Sequence, residues 1–382
     1  MRDIGDILSR QAKITVDSVP QILDLHTEKD RRALSRLIAA RRVRHVNDDY
    51  EAELREYFEV MNPTLVYTPD FDGKFHAYLN SIKKKMPLWR HGRWVYFPWL
   101  STLSHILDDK EFQMVRTARN RNLITADEQE RFYHSVIGVA GLSVGNSVAL
   151  AIVLQGGARH IKLADNDRLA LSNLNRVRAG VQNIGLSKIE LTAREIYTIN
   201  PYAHVELFPD GLNKKNISRF FRGVRALDIV IDEIDNFAVK YLIREQARKY
   251  RIPVLMGADN GDNAIIDIER YDQDPHTPFF HGRLGAIGYD DLSRMDKFST
   301  GKTIAAYLGL ENTTMRALQS LQHMGKTIVS WPQLGGAALL NGAAIAYCVR
   351  KILNNQVLEN NRALISLDEK LDPSDHTLAR EE

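Results

Sequence analysis

The chain has 382 residues, 44% hydrophobic and 26% charged, with a formal net charge of +3. That length exceeds one ordinary domain, the composition is that of a globular protein, and so small a charge makes no general case for nucleic acid as partner. A single cysteine, Cys348, excludes an intrachain disulfide framework and a cysteine-based zinc site, which fits a reducing, cytoplasmic setting.

Taken in chain order, "MRDIGDILSRQAKITVDSVP" carries charges throughout and lacks the apolar run of a signal peptide. No stretch reaches the roughly 18 apolar residues of a membrane span. Helical spacing of Leu34, Leu37 and Ile38 predicts a helix within 28–45, and a second, acidic one follows at 48–61. "GRWVYFPWL" (92–100) reads as an extended, aromatic segment ended by Pro98. Residues 1–110 are thus expected to form an α-rich accessory domain for substrate or partner recognition.

From 136 the pattern alternates. Strands are predicted at "SVIGVAG", 160–165, 226–235, 252–259 and 264–272, with helices at "NSVALAIVLQGG", 185–201 and 236–250. Strands separated by helices of 10 to 15 residues mean βαβ units and a mostly parallel sheet. "QLGGAALLNGAAIAYCVRKILNN" (333–355) is an apolar helix expected to pack on that sheet, and 361–382 reads as a polar tail. The second domain is therefore set at 111–360.

The first strand runs into a small-residue turn: Gly138, Ala140, Gly141, Ser143 and Gly145. Such a turn bares backbone N–H groups at a helix start and admits a phosphate. Asp165 ends the second strand 24 residues after Gly141, where an acid ordinarily meets a ribose hydroxyl. These features alone suit NAD, FAD or ATP, or a turn that only packs helix on strand.

The next residues discriminate. Asp167 follows Asp165; Asn173, Asn175 and Arg176 come a short loop later; Lys188 opens a helix; and "DEIDN" after the third strand supplies Asp232, Asp235 and Asn236. Singly, Arg176 or Lys188 reads as a solvated surface charge. As an ordered set with strand-end acids they suit reaction at the α-phosphate of ATP, where cations and a metal offset the charge on phosphorus and on departing pyrophosphate. An Asp at a strand's carboxyl end suits Mg²⁺, which takes oxygen ligands. Asp127 after Thr125 is a helix-start signal.

The turn "GVAGLS", then "LADND", "SNLNR", "GLSK", "TINP" and "DEIDN", stand in the order and near the spacing of the ThiF/MoeB adenylyltransferase family, relatives of ubiquitin-activating enzymes. Residues 136–272 resemble that family's core. "RNRNLITADEQERF" (119–132) resembles its N-terminal helix and 332–347 its closing helix.

The resemblance implies an α/β, Rossmann-like ThiF/MoeB-type adenylation domain that activates a carboxylate with ATP and Mg²⁺. It implies phosphates passing Gly138, Gly141 and Ser143, ribose on Asp165 with Asp167 supporting the loop, and the triphosphate on Asn173 and Arg176. Lys188 would neutralise the α-phosphate and Asp235 would bind Mg²⁺. Arg121, or as second choice Arg119, would be an arginine finger reaching a partner subunit in a homodimer.

Relatives often pass the acyl group to a cysteine. Cys348, in an apolar helix, reads as a buried small hydrophobe instead. Resolution by a nitrogen, or on a partner protein, is therefore expected. His276, His281 and Arg283, in a segment placed like the family's crossover loop, are candidates for carboxylate binding. A peptide or small protein is the expected substrate; tRNA, through "KKKMPLWRHGRW" (83–94), is the lesser option. An NAD- or FAD-dependent oxidoreductase and an inactive ThiF-like scaffold remain the alternatives.

Overall fold

The computed structural model describes residue 4, residues 17–309 and residues 312–371. Residues 1–3 and 5–16 of the chain's start and 372–382 of the polar tail lie outside the described residues. The chain divides into two compact units: Met1–Leu123 with Asn200–Tyr202, and Ile124–Ile199 with Ala203–Glu382.

The first unit contains β1 (Gln21–Leu23), α1 (Glu28–Ala39), β2 (His45–Asp48), α2 (Tyr50–Met61), α3 (Phe71–Lys85), β3 (Arg93–Phe97), β4 (Thr102–Ile106) and α4 (Asp109–Arg116). It is rich in helix, as expected, but built round a four-stranded sheet in the order β1-β3-β4-β2. Only β3 was legible in the sequence; β1 and β2, of three and four residues, are too short to show alternation.

Thr27 starts α1 by accepting the Asp30 N–H. Leu37 of α1 then packs with Leu23, Trp94, Tyr96 and Leu103, while Tyr50, Leu54, Phe71, Phe75 and Leu79 form a second small core. His105 is buried between them, its ring stacked on Tyr50 at 4.1 Å and on Trp94 at 4.4 Å. Asn200, read in the sequence as the end of a βαβ helix, and Tyr202 after it hold to this unit: the Tyr202 hydroxyl donates to Leu107 O at 2.5 Å, and Gln113 to Asn200 Oδ1 at 2.9 Å.

The second unit begins with α5 (Ala126–His134), whose Thr125 and Glu128 form a reciprocal capping box. Asp127 stands in the first turn of this helix, as a helix-start acid does. Then follow β5 (Val136–Ala140), α6 (Val144–Leu154), β6 (His160–Ala164), α7 (Lys188–Ile199), β7 (His204–Phe208), α8 (Ile217–Arg222), β8 (Ile229–Asp232), α9 (Phe237–Tyr250), β9 (Val254–Asn260) and β10 (Asn263–Glu269). After a 3₁₀ turn at Phe279–Gly282 come α10 (Tyr289–Ser293), α11 (Lys297–Leu308), α12 (Met315–His323), α13 (Gly335–Leu353), β11 (Asn361–Ile365) and α14 (Leu367–Leu371).

The seven-stranded sheet runs β11-β10-β9-β8-β5-β6-β7. Its five strands from β9 to β7 are parallel, and β10 and β11 add to one edge antiparallel. The central strands are unbroken apolar runs buried on both faces, as a parallel sheet covered by helices requires. Residues 361–365 correct one expectation: read as polar tail, they pair with β10 as β11.

A second correction concerns α13. Among the described residues it is long and apolar enough to cross a membrane by length and composition, although half of that window is buried inside the protein. It is a core helix: a Cβ on its Gly342 would stand 2.8 Å from Ser147 O of α6, so the two helices meet backbone to side.

Behind β8 lies a buried ionic cluster. Asp232 pairs with Lys240 at 3.2 Å and Arg244 at 2.6 Å; Arg244 also pairs with Glu269 at 2.7 Å. Glu269 accepts from the Phe280 N–H and the Tyr271 hydroxyl, both at 2.8 Å.

Glu195 of α7 accepts from Asn146 of α6 at 2.8 Å, and burial pushes its carboxyl up to about 7. A folded-state value above the unfolded one means the neutral acid is favoured in the fold. Ionisation therefore costs stability as pH rises from about 4.5 through 7. Glu195→Gln is expected to raise the melting temperature at pH 8 and leave it unchanged at pH 5; an equal shift at both would contradict the assignment.

Candidate active site

The candidate site is built at the carboxyl ends of β5, β6 and β8. Gly141 turns the chain after β5 with φ +86°, and its N–H bonds to Ala164 O at 2.8 Å. A Cβ there would stand 2.2 Å from Glu233 O, so the turn needs glycine for both conformation and space. The next residues open α6, whose first turn is buried.

Asp165 follows the last residue of β6 and is hydrogen-bonded to this turn. Its Oδ2 accepts the Leu142 N–H at 2.6 Å and its Oδ1 the Asp167 N–H at 2.7 Å. Burial raises its carboxyl, against the pull of those two N–H groups and of Lys188. The acid therefore clamps the turn to the loop that follows, while its remaining lone pairs stay available to a hydroxyl.

That loop carries the cations. Lys188, buried at the start of α7, reaches Asp167 Oδ2 at 2.8 Å. Arg176 donates from Nε to Ser143 Oγ at 3.0 Å and from Nη1 to Asn175 Oδ1 at 2.9 Å. Asn173 instead spends its Oδ1 on the Ala170 N–H at 3.0 Å, shaping the 3₁₀ turn from which Arg176 projects. Gly141, Ser143, Asp165, Asp167, Arg176 and Lys188 thus form one connected set.

Asp235 is exposed in the loop between β8 and α9, and the adjoining Asn236 caps α9 by accepting from Ala238 and Val239. One exposed carboxylate at the carboxyl edge could serve a Mg²⁺ that takes its remaining ligands from phosphates and water. Asp232 is not available for that task, since both its oxygens serve the buried cluster.

Two expectations, for Gly138 and His281, are corrected by placement. Gly138 lies in mid-strand; a Cβ there would meet Leu227 and Phe220 at 2.7 and 2.8 Å, so its smallness serves packing behind the sheet, not a phosphate. His281 points inward, its Nε2 3.5 Å from the buried Asp267, and is not displayed to a substrate carboxylate. His276 is exposed on its turn, apart from that cluster. Arg121 and Arg119 are exposed residues of the first unit.

Two acids were missed. Glu233 accepts the Gly257 N–H at 2.8 Å, and burial drives its carboxyl well above the usual range. Asp259, 7% exposed at the end of β9, accepts from Asn341 at 2.7 Å and Gln333 at 3.4 Å. Asp259 ends one predicted parallel strand and Glu233 lies among the acids that close another, which was the available signal.

Residues 117–274 match the model of the ThiF family. Uncharacterized protein MT1398 of Mycobacterium tuberculosis is 35% identical over 312 residues, covering 80% of this chain and 43% of that protein. A probable molybdopterin-synthase adenylyltransferase of Porphyra purpurea is 30% identical, covering 42% of each chain. A tRNA threonylcarbamoyladenosine dehydratase of Bacillus subtilis is 28% identical, covering 45% of this chain and 69% of that one. The chain spans under half the length of the first two. The order of motifs, the glycine turn and the family match agree: this chain carries a ThiF-family domain.

Proposed function

We propose that the protein is an ATP-dependent adenylyltransferase that activates a carboxylate, on a peptide or protein terminus or side chain, as an acyl-adenylate. The carboxylate oxygen attacks the α-phosphorus, the bond to the bridging oxygen breaks, and pyrophosphate leaves. The observation that carries this reading is the connected set at the carboxyl edge of the sheet: a glycine turn clamped by Asp165, with Arg176 and Lys188 fixed beside it. An oxidoreductase has no task for those two cations. The names of the relatives, an adenylyltransferase and a dehydratase acting on a tRNA nucleoside, support nucleotide-dependent chemistry.

In this reading Gly141 and Ser143 flank the phosphates and Asp165 holds the ribose. Asn173 and Arg176 meet the triphosphate, Lys188 the α-phosphate, and Asp235 Mg²⁺, which would spread the charge of the phosphates. Arg121 would act on the site of a second subunit. The exposed apolar face of α13, with Leu339 55% and Tyr347 47% exposed, supports a homodimer.

Cys348 is buried in α13 and its thiol pushed up to about 11, so the adenylate is resolved without a thioester on this chain. The first unit would select the substrate, a peptide in preference to tRNA, and the setting would be cytoplasmic. The test is release of AMP and pyrophosphate from Mg·ATP on addition of carboxylate-bearing peptides. Release that stops when the carboxylates are amidated supports the reading; Mg·ATP binding with no release from any carboxylate favours the inactive scaffold.

A further inference from the structure

The buried acids of the second unit differ in how they are balanced. Asp232, Glu269 and Asp267 each face an arginine, at 2.6, 2.7 and 3.6 Å. Asp259 is buried as well, yet its hydrogen-bond partners among the described residues are two neutral amides, Asn341 and Gln333. Since a carboxylate accepts, both amides present N–H to it, and Asn341, itself fully buried, keeps an oxygen without a partner. The spot is rich in acceptors and, among the described residues, has no ion pair.

Its place matters. Asp259 lies one residue before the end of β9, on the edge that carries the glycine turn; the Arg176 charge acts on its carboxyl, and its own charge acts on Glu233. A chain of contacts joins it to the turn: Gln333 O accepts from Asn175 at 2.8 Å, Asn175 Oδ1 from Arg176 at 2.9 Å, and Arg176 donates to Ser143 at 3.0 Å. A Cβ on Gly335 would stand 2.4 Å from Asn175 O, so the start of α13 closes tightly on this loop. Burial disfavours ionisation of Asp259, against the amide bonds and the Arg176 charge. An asparagine would fill the same space at lower electrostatic cost.

We propose that Asp259 is a specificity residue of the phosphate end, which weakens the hold on triphosphate and pyrophosphate relative to AMP. This rests on the reading of the turn as an ATP site. An ionised carboxylate linked to Arg176 through Gln333 and Asn175 offsets part of its charge and repels an anion seated there. AMP, with one phosphate, feels less of this than ATP or pyrophosphate does. After the α-phosphate has been attacked, the same repulsion speeds pyrophosphate away while the adenylate stays.

The test is calorimetric titration of the full chain at pH 8 with Mg·ATP, Mg·pyrophosphate and AMP, for the natural protein, Asp259→Asn and Asp259→Ser. Both variants are expected to bind Mg·ATP and Mg·pyrophosphate about five- to tenfold more tightly, with AMP changed less than about twofold. Melting temperatures show whether each is folded, and the smaller serine covers the case in which asparagine strains the amide pair. Unchanged or weaker Mg·ATP binding in a folded variant overturns the role of Asp259 alone. No Mg·ATP binding by the natural protein overturns the ATP reading and this inference with it.

Discussion

Lys188→Ala is expected to lower the rate of pyrophosphate release by about 10²- to 10³-fold, and Arg176→Ala by a similar factor, with both proteins folded. The size follows from where charge develops. As the α-phosphorus is attacked, negative charge grows on its oxygens and on the leaving pyrophosphate, in a site partly withdrawn from water. Lys188 is held for that task by a 2.8 Å bond to Asp167 and Arg176 by a 3.0 Å bond to Ser143.

The cost to stability is small, because the Asp167 side chain is 64% exposed and water replaces the lost ammonium. Arg176 leaves behind a hydroxyl, an amide oxygen and the Ser172 carbonyl. Stopped activity in a folded protein separates a catalytic loss from a structural one. Natural rates in both variants would remove these side chains from the reaction.

Arg244→Ala, in contrast, is expected to act on the fold, with a loss of about 3–5 kcal/mol. Arg244 is fully buried between Asp232 and Glu269, its guanidinium 4.1 Å from the Phe280 ring centre. Alanine leaves two carboxylates facing each other with Lys240 alone to balance them, and a void where the guanidinium lay. Asp232 ends β8 three residues before Asp235, and Glu269 carries the Phe280 N–H, so damage spreads to both sides of the sheet edge. Thermal and urea unfolding measure the loss. A shift below about 1 kcal/mol would mean the cluster is open to water and worth no more than surface pairs.

The parallel core was legible because fully apolar strands such as Ile229–Ile231, punctuated by glycine turns and amphipathic helices, have few other arrangements. The antiparallel edge was not. β11 is a half-buried edge strand whose Asn361 and Arg362 match a tail in composition, and its register with β10 distinguishes it. In the first unit, β1 and β2 are shorter than the window in which alternation can be read.

At the site, ordered motifs brought out Asp165, Arg176 and Lys188, which the fold does gather at one edge. What they left obscure is the direction of side chains. Gly138 shares the glycine run but faces Leu227 and Phe220, because alternate residues of a strand face opposite sides. His281 stands in a solvent-like loop sequence yet turns to a buried carboxylate at a backbone φ of +53°. Asp259 stood in view at a strand end, but its amide partners lie more than 70 residues away in sequence.

The claim on which the rest depends is that the turn at Gly141 holds a triphosphate. Calorimetric titration of the full chain with Mg·ATP, and separately with NAD⁺ and FAD, tests it most directly. Binding of Mg·ATP and of neither dinucleotide, lost in Asp165→Ala, is the predicted result. Binding of a dinucleotide without Mg·ATP would mean that the same fold serves a different reaction, and the adenylation site as described here would be wrong.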